Sequence, residues 1–190
     1  ADVEEGLREV FQREAKGSLA RNILGEILDN IRLARVRDAP LCQDTGTLLF
    51  SVQMPTGGDP NTFSSAACAA VSRATRAGYL RENTVDAVTG AVCHLNLGNG
   101  APMFAFKQAA RDTLDVRLML KGGGSENVGR QYSLPVAELG AGRDLDGVRR
   151  CILDAVFQAQ GQGCAPGILG VCIGGDRMYT RHAIELDPER

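Results

Sequence analysis

Apolar positions recur at helical spacing through the first part of the chain. From Glu4 to Lys16, Leu7, Val10 and Phe11 share one face of a charged segment, which predicts a short amphipathic helix. Ser18 is placed to cap a second helix in which Leu19, Ile23, Leu24, Ile27, Leu28 and Ile31 recur among charged residues. That helix is expected to run to about Arg37 and to stop before Pro40, which has no amide donor and disfavours helical backbone at Ala39.

The pattern then changes. Leu48 to Met54 reads as a buried strand closed by the turn-forming stretch Pro55 to Pro60, and an Ala-rich helix is expected from Asn61 or Thr62 to Gly78. Tyr79 to Thr84 is a polar loop. Ala91 to Leu97 and Pro102 to Gln108 read as strands around Gly98-Asn99-Gly100. Thr113 to Leu120 alternates, with Leu114, Val116, Leu118 and Leu120 facing in and Asp115 and Arg117 facing out. These last three runs predict an antiparallel sheet. Arg143 to Gln160 is a further amphipathic helix, with Leu145, Val148, Ile152, Val156 and Ala159 on one face, and Ile168 to Ile173 is either a buried strand or the start of a tightly packed helix. The expected fold is α+β: one helix-rich domain over residues 1–190 with a largely antiparallel sheet.

Composition narrows the function classes more than the fold. A net charge of -2 supplies no electrostatic attraction for nucleic acid or an anionic membrane. No apolar run approaches a membrane span, and the charged start Ala1-Asp2-Val3-Glu4-Glu5 is unlike a signal peptide, so a cytoplasmic protein is expected. The six cysteines, at 42, 68, 93, 151, 164 and 172, form no C-x-x-C pair and are too scattered for a disulfide framework. Cys68, Cys151 and Cys172 read as core. Cys93 and His94 would project to opposite faces of their strand, so they do not make a shared metal site.

Three loops concentrate the chemistry. Cys42-Gln43-Asp44-Thr45-Gly46-Thr47 places a thiol, an amide, a carboxylate and hydroxyls between a helix and a strand. Lys121-Gly122-Gly123-Gly124-Ser125-Glu126-Asn127 has three consecutive glycines, costly to order unless backbone approaches something closely or adopts positive φ. It reads either as a carboxylate-binding nest, with Ser125 and Asn127 as donors, or as a flexible turn. The third loop, Gly163-Cys164-Ala165-Pro166-Gly167, is the second to carry a cysteine, and a loop thiol is a better ligand than a packed one. Arg81 is either an anion-binding arginine or an ordinary solvated one.

Together these loops, with Ile168-Leu169-Gly170 and Gly174-Gly175, resemble in order and approximate spacing the class I fumarase family, which includes the alpha subunits of L(+)-tartrate dehydratases. The resemblance covers roughly Ala20 to Gly175. It implies an iron-sulfur hydro-lyase that adds or removes water across a carbon-carbon double bond of a small dicarboxylate, of fumarate/malate or tartrate type. It implies a 4Fe-4S cluster, with Cys42 and Cys164 as ligands and one iron left open as a Lewis acid. Gln43 and Asp44 would be catalytic. Gln43, Asp44, Thr45, Arg81, Gly123, Gly124, Ser125 and Asn127 would bind substrate, and Asp44 alternatively orients the attacking water or a neighbour.

The chain departs from the pattern in two places. Relatives carry a third cysteine well beyond the second cysteine motif, and Asn83-Thr84-Val85-Asp86 stands where Asn-Thr-Gly-Asp is usual. The expectation is therefore an oligomeric enzyme completed by a beta-type subunit or a missing C-terminal part. The alternative is a cluster-free relative serving as a carboxylate-binding or assembly module.

Overall fold

The computed structural model describes residues 2–42, 44–110, 112–163 and 167–174. Helices α1 (Asp2–Arg13) and α2 (Leu19–Arg37) form the first unit. Ser18 is the N-cap of α2, its Oγ accepting from the Arg21 amide at 3.1 Å, and Asp38 ends the helix in the left-handed region at φ 48. The Arg21 guanidinium lies 4.1 Å above the Phe11 ring and donates to the carbonyls of Phe11 and Glu14, closing the hairpin.

Glu4 adds a second tie, accepting from Arg8 at 2.7 Å within α1 and from Arg35 at 2.8 Å on α2. The hydrogen bond from Arg35, then that from Arg8, hold the Glu4 carboxyl down at about 2 from an ordinary 4.5. A depressed acid stabilises the folded state fully above its unfolded pKa and less as pH falls toward its folded one. The stability difference between wild type and Glu4→Gln is therefore expected in full above pH 4.5 and to fade towards about pH 2, as read from thermal unfolding across that range. A difference independent of pH would rule this out.

The sheet follows. Strand β1 (Thr47–Pro55) alternates strictly, with Leu48, Phe50, Val52 and Met54 buried on one face. Helix α3 (Pro60–Arg76) begins one or two residues earlier than its pattern predicts, because Asp59 caps it by accepting from the amides of Asn61 and Thr62, and Pro60 fits the first turn. Ala67 and Val71 of α3 pack on the buried face of β1, with Phe63, Leu80, Leu97, Phe104 and Phe106 around them.

Strands β2 (Met103–Ala109) and β3 (Asp115–Lys121) flank β1 in the order β2-β1-β3. β1 pairs parallel with β2 and antiparallel with β3. The α+β class holds, but the sheet is mixed rather than largely antiparallel: α3 carries the chain back before β2 starts, and such a crossover produces a parallel neighbour.

Ala91 to Leu97 is not a strand. A single bridge joins Val85 to Val92, and His94–Asn96 is a 3-10 turn with Leu95 and Asn96 both at φ 58. The run fails as a strand because Asn96 turns its side chain inward to bond the preceding loop.

β3 forms where its pattern predicts, but Leu114 lies before it and is exposed; the register sets Val116, Leu118 and Leu120 opposite Val52, Phe50 and Leu48. These three nevertheless remain exposed, Leu118 at 49 %, because the core cluster draws on α3, β1 and β2 and takes nothing from β3.

Beyond β3, Gly123–Asn127 forms a single helical turn, α4, rather than a loop. Helix α5 (Leu145–Ala159) is capped by Asp144, whose carboxylate accepts from the Gly147 amide at 2.7 Å. Cys151 is buried, as its position on α5 predicts. The Tyr132 hydroxyl donates to Asp154 at 2.6 Å, and burial, then that bond, push its pKa up to about 12. Ile168 to Ile173 is neither strand nor helix, and Cys172 is exposed rather than core: no described element covers this segment.

Candidate functional site

The loop after α2 is built by short-range bonds. Asn30 of α2 donates to the Leu41 carbonyl at 3.0 Å, holding Pro40–Cys42 against the helix. Cys42 is exposed and, with Asn30, Leu41, Leu80 and Arg81, lines a cleft of about 590 Å³. The Asp44 amide donates to Cys42 Sγ at 3.4 Å.

Asp44 is the junction. Its Oδ1 accepts from the Gly46 amide at 2.9 Å and from Asn83 Nδ2 at 2.6 Å, while Oδ2 accepts from the Gly123 amide at 3.1 Å. One carboxylate thus draws together the Cys42 loop, the polar loop after α3 and the glycine loop after β3. Gly46 sits at φ 66 with its α-carbon so close to β3 that a β-carbon would lie 2.1 Å from the Lys121 carbonyl oxygen. Of the glycine triplet, Gly122 faces Asp44 Oδ2, where a β-carbon would stand at 3.2 Å; Gly123 and Gly124 face open space, and none of the three has positive φ. Close approach therefore accounts for Gly122 alone of the three.

Thr45 is buried, 5 % exposed, and bonds both ways to the main chain of Arg81: its hydroxyl accepts from the Arg81 amide at 2.7 Å and donates to the Arg81 carbonyl at 2.9 Å. The Arg81 side chain is left exposed at the cleft, with no ion pair among the described residues. Ser125 and Asn127 are exposed on α4, and Lys121 is paired with Glu126. Gln43 and Cys164 lie outside the described residues. Among the described residues, no group of three or more His, Cys, Asp or Glu converges as a metal site. Among the described residues, Cys42 is the thiol at this cleft, exposed and receiving an N–H.

Two residues of this arrangement escape a reading by pattern. Asn83 is the side-chain partner of Asp44, and Asn96 is fully buried beneath the same loop. The signal for Asn96 is its type and place: an amide inside an apolar run, beside a Gly-Asn-Gly turn, is the non-glycine side chain best suited to positive φ.

The family model described as Fumarate hydratase (Fumerase) matches residues 1–184. The chain belongs to this family. Among fumarate hydratase relatives, it is 48% identical over 179 residues to a putative fumarate hydratase class I of Geobacillus stearothermophilus, covering 93% of this chain and 35% of that protein. It is 27% identical over 181 residues to a putative L(+)-tartrate dehydratase subunit alpha of Methanocaldococcus jannaschii, covering 92% and 61%. Against the L(+)-tartrate dehydratase subunit alpha of Escherichia coli K12 the identity is 27% over 177 residues, covering 90% and 55%. The chain therefore spans from about a third to three fifths of the length of these fumarate hydratase family members. Among the described residues, no helix is long and apolar enough to cross a membrane.

Proposed function

We propose that the chain is the N-terminal part of an iron-sulfur-dependent hydro-lyase that reversibly hydrates a small dicarboxylate of the fumarate/malate or tartrate type. The observation that carries this reading is the Asp44 junction, which gathers the Cys42 loop, the Arg81–Asn83 segment and the Gly122–Gly123 backbone at one cleft edge. Family membership supports the chemistry, and the part-length coverage supports completion by a beta-type subunit or C-terminal domain in an oligomer.

Cys42 and Cys164 would hold a 4Fe-4S cluster, the third ligand coming from the completing part. When bound, the cluster supplies a Lewis-acidic iron that eases departure of hydroxide from the substrate. The exposed Arg81 guanidinium is placed for one substrate carboxylate, and the open amides near Gly124, with Ser125 and Asn127, for the other. Among the described residues Oδ2 of Asp44 accepts the Gly123 amide alone and keeps room for one more donor, so it is where a substrate hydroxyl or water would hand over its proton. Gln43 would steady the substrate beside it.

Anaerobic reconstitution with iron and sulfide tests the centre. Cys42→Ala and Cys164→Ala are each expected to reduce bound iron and cluster absorbance to near background. Iron content unchanged in both variants would defeat the cluster assignment and leave a cluster-free carboxylate-binding module. Turnover of fumarate, malate and tartrate, with and without a beta-type chain, then identifies the substrate and the completing part.

A further inference from the structure

Asn96 is 0 % exposed and spends its amide completely. Oδ1 accepts from the amides of Asn83 at 3.1 Å and Thr84 at 3.2 Å and from the Thr84 hydroxyl at 3.1 Å. Nδ2 donates to Thr75 Oγ1 at 3.2 Å and to the Arg81 carbonyl at 2.9 Å. Thr75 belongs to α3 and its hydroxyl is itself bonded to the Val71 carbonyl at 2.9 Å. One side chain therefore staples the segment 81–84 to the rigid helix that packs on the sheet.

The backbone is bent to put it there. Leu95 and Asn96 both lie at φ 58, a region costly for a leucine, and the Leu95 amide is held by the Glu82 carboxylate. Strain of this kind persists only where surrounding bonds over-determine it.

The stapled segment meets Asp44 through Asn83. Its Nδ2 donates to Asp44 Oδ1 at 2.6 Å, while its Oδ1 is buried with no hydrogen-bond partner among the described residues. Turning the amide over would set a carbonyl against a carboxylate, so the contact fixes the NH2 on Asp44.

We propose that Asn96 is a positioning residue of the site: by fixing the main chain of Asn83 and Arg81 on α3, it sets the Asn83 amide that orients Asp44. The proposal rests on the functional reading above only in taking Asp44 as part of a substrate site. The bond network stands without it.

Amide NMR of the full chain tests it through protons that only this arrangement places. In Asn96→Ala, the side-chain NH2 signals of Asn83 and the amides of Gly46 and Gly123 are expected to move towards unbonded positions, while signals from the paired residues of β1 and β3 stay. Should that variant fail to fold, Thr75→Val removes one of the staple's bonds and is expected to move the same signals less, with Thr75→Ser restoring them. A folded Asn96→Ala, or Thr75→Val, with all three signals at wild-type positions overturns the proposal.

Titration with L-malate separates it from the functional reading. Weakening by about tenfold in Asn96→Ala, the order of one lost hydrogen bond, supports both. Unchanged malate affinity in that variant counts against the positioning role. No binding of L-malate or tartrate by the wild-type chain reconstituted with iron and sulfide and joined to its completing chain defeats the substrate reading and leaves the amide signals to decide the role of Asn96.

Discussion

Replacing Gly46 with alanine is expected to break the junction between the Cys42 loop and the end of β3 and to destabilise the fold by about 3 kcal/mol or more. Two effects add. A side chain at φ 66 meets the left-handed penalty, roughly 1 kcal/mol or more, and its β-carbon would stand 2.1 Å from the Lys121 oxygen and 2.4 Å from its carbonyl carbon. Neither atom is the far end of a flexible side chain. Lys121 is paired with Thr47 in the β1–β3 ladder, so relief requires opening that ladder at the end that carries the glycine loop.

The Asp44–Gly123 bond is then expected to be lost together with stability. Urea unfolding gives the free energy and the Gly123 amide signal reports the junction. Gly123→Ala is the matched control, since a β-carbon there would meet nothing within 4 Å and its φ is ordinary; it is expected within about 0.5 kcal/mol of wild type. Equal unfolding midpoints for Gly46→Ala and wild type would contradict the packing of this loop against β3.

Phe50→Ala is expected to cost about 3–5 kcal/mol, the usual range for removing a buried phenylalanine. Phe50 stacks on Phe104 of β2 at 5.2 Å and meets Phe63 of α3 edge-on at 6.3 Å, so its loss opens a gap between three elements of the core at once. Leu118 supplies the contrast. It lies directly opposite Phe50 on β3, yet at 49 % exposure Leu118→Ala is expected to cost about 1 kcal/mol or less. Urea titration of both variants with constant m-values measures the difference. If Leu118→Ala proved as costly as Phe50→Ala, the open face of β3 would be covered in solution.

The exposure of Val116, Leu118 and Leu120 accords with the part-length match to the relatives. A strand with a clean apolar face is written for cover on that face. The alternation of β3 was therefore readable, but which neighbour fills the face is a property of chain outside the strand.

Local rules account for most of the elements. Period-3.6 apolar spacing with Ser18 and Pro40 as punctuation bounds α2, period-2 spacing identifies β1 and β3, and the amphipathic run after Arg143 locates α5. They fail where a polar side chain competes with the ladder. Ala91 to Leu97 has the composition of a strand, but a buried Asn96 that can satisfy five bonds by bending the chain wins over strand pairing. The parallel β1–β2 pair was likewise hidden, because strand direction depends on the α3 crossover and not on the pattern within either strand.

By itself the sequence determined the periodic elements, the three loops and, through their order and spacing, the family to which the chain belongs. Such features depend on side-chain types at short separations. Only the tertiary structure decided that Asp44 is the point where those loops meet, that Asn83 and Asn96 hold it there, that Gly46 is small because the β3 backbone passes beside it, and that Gly122 faces the Asp44 carboxylate. Those contacts join residues up to 79 positions apart, and a hydrogen bond between them leaves no periodic trace in either segment.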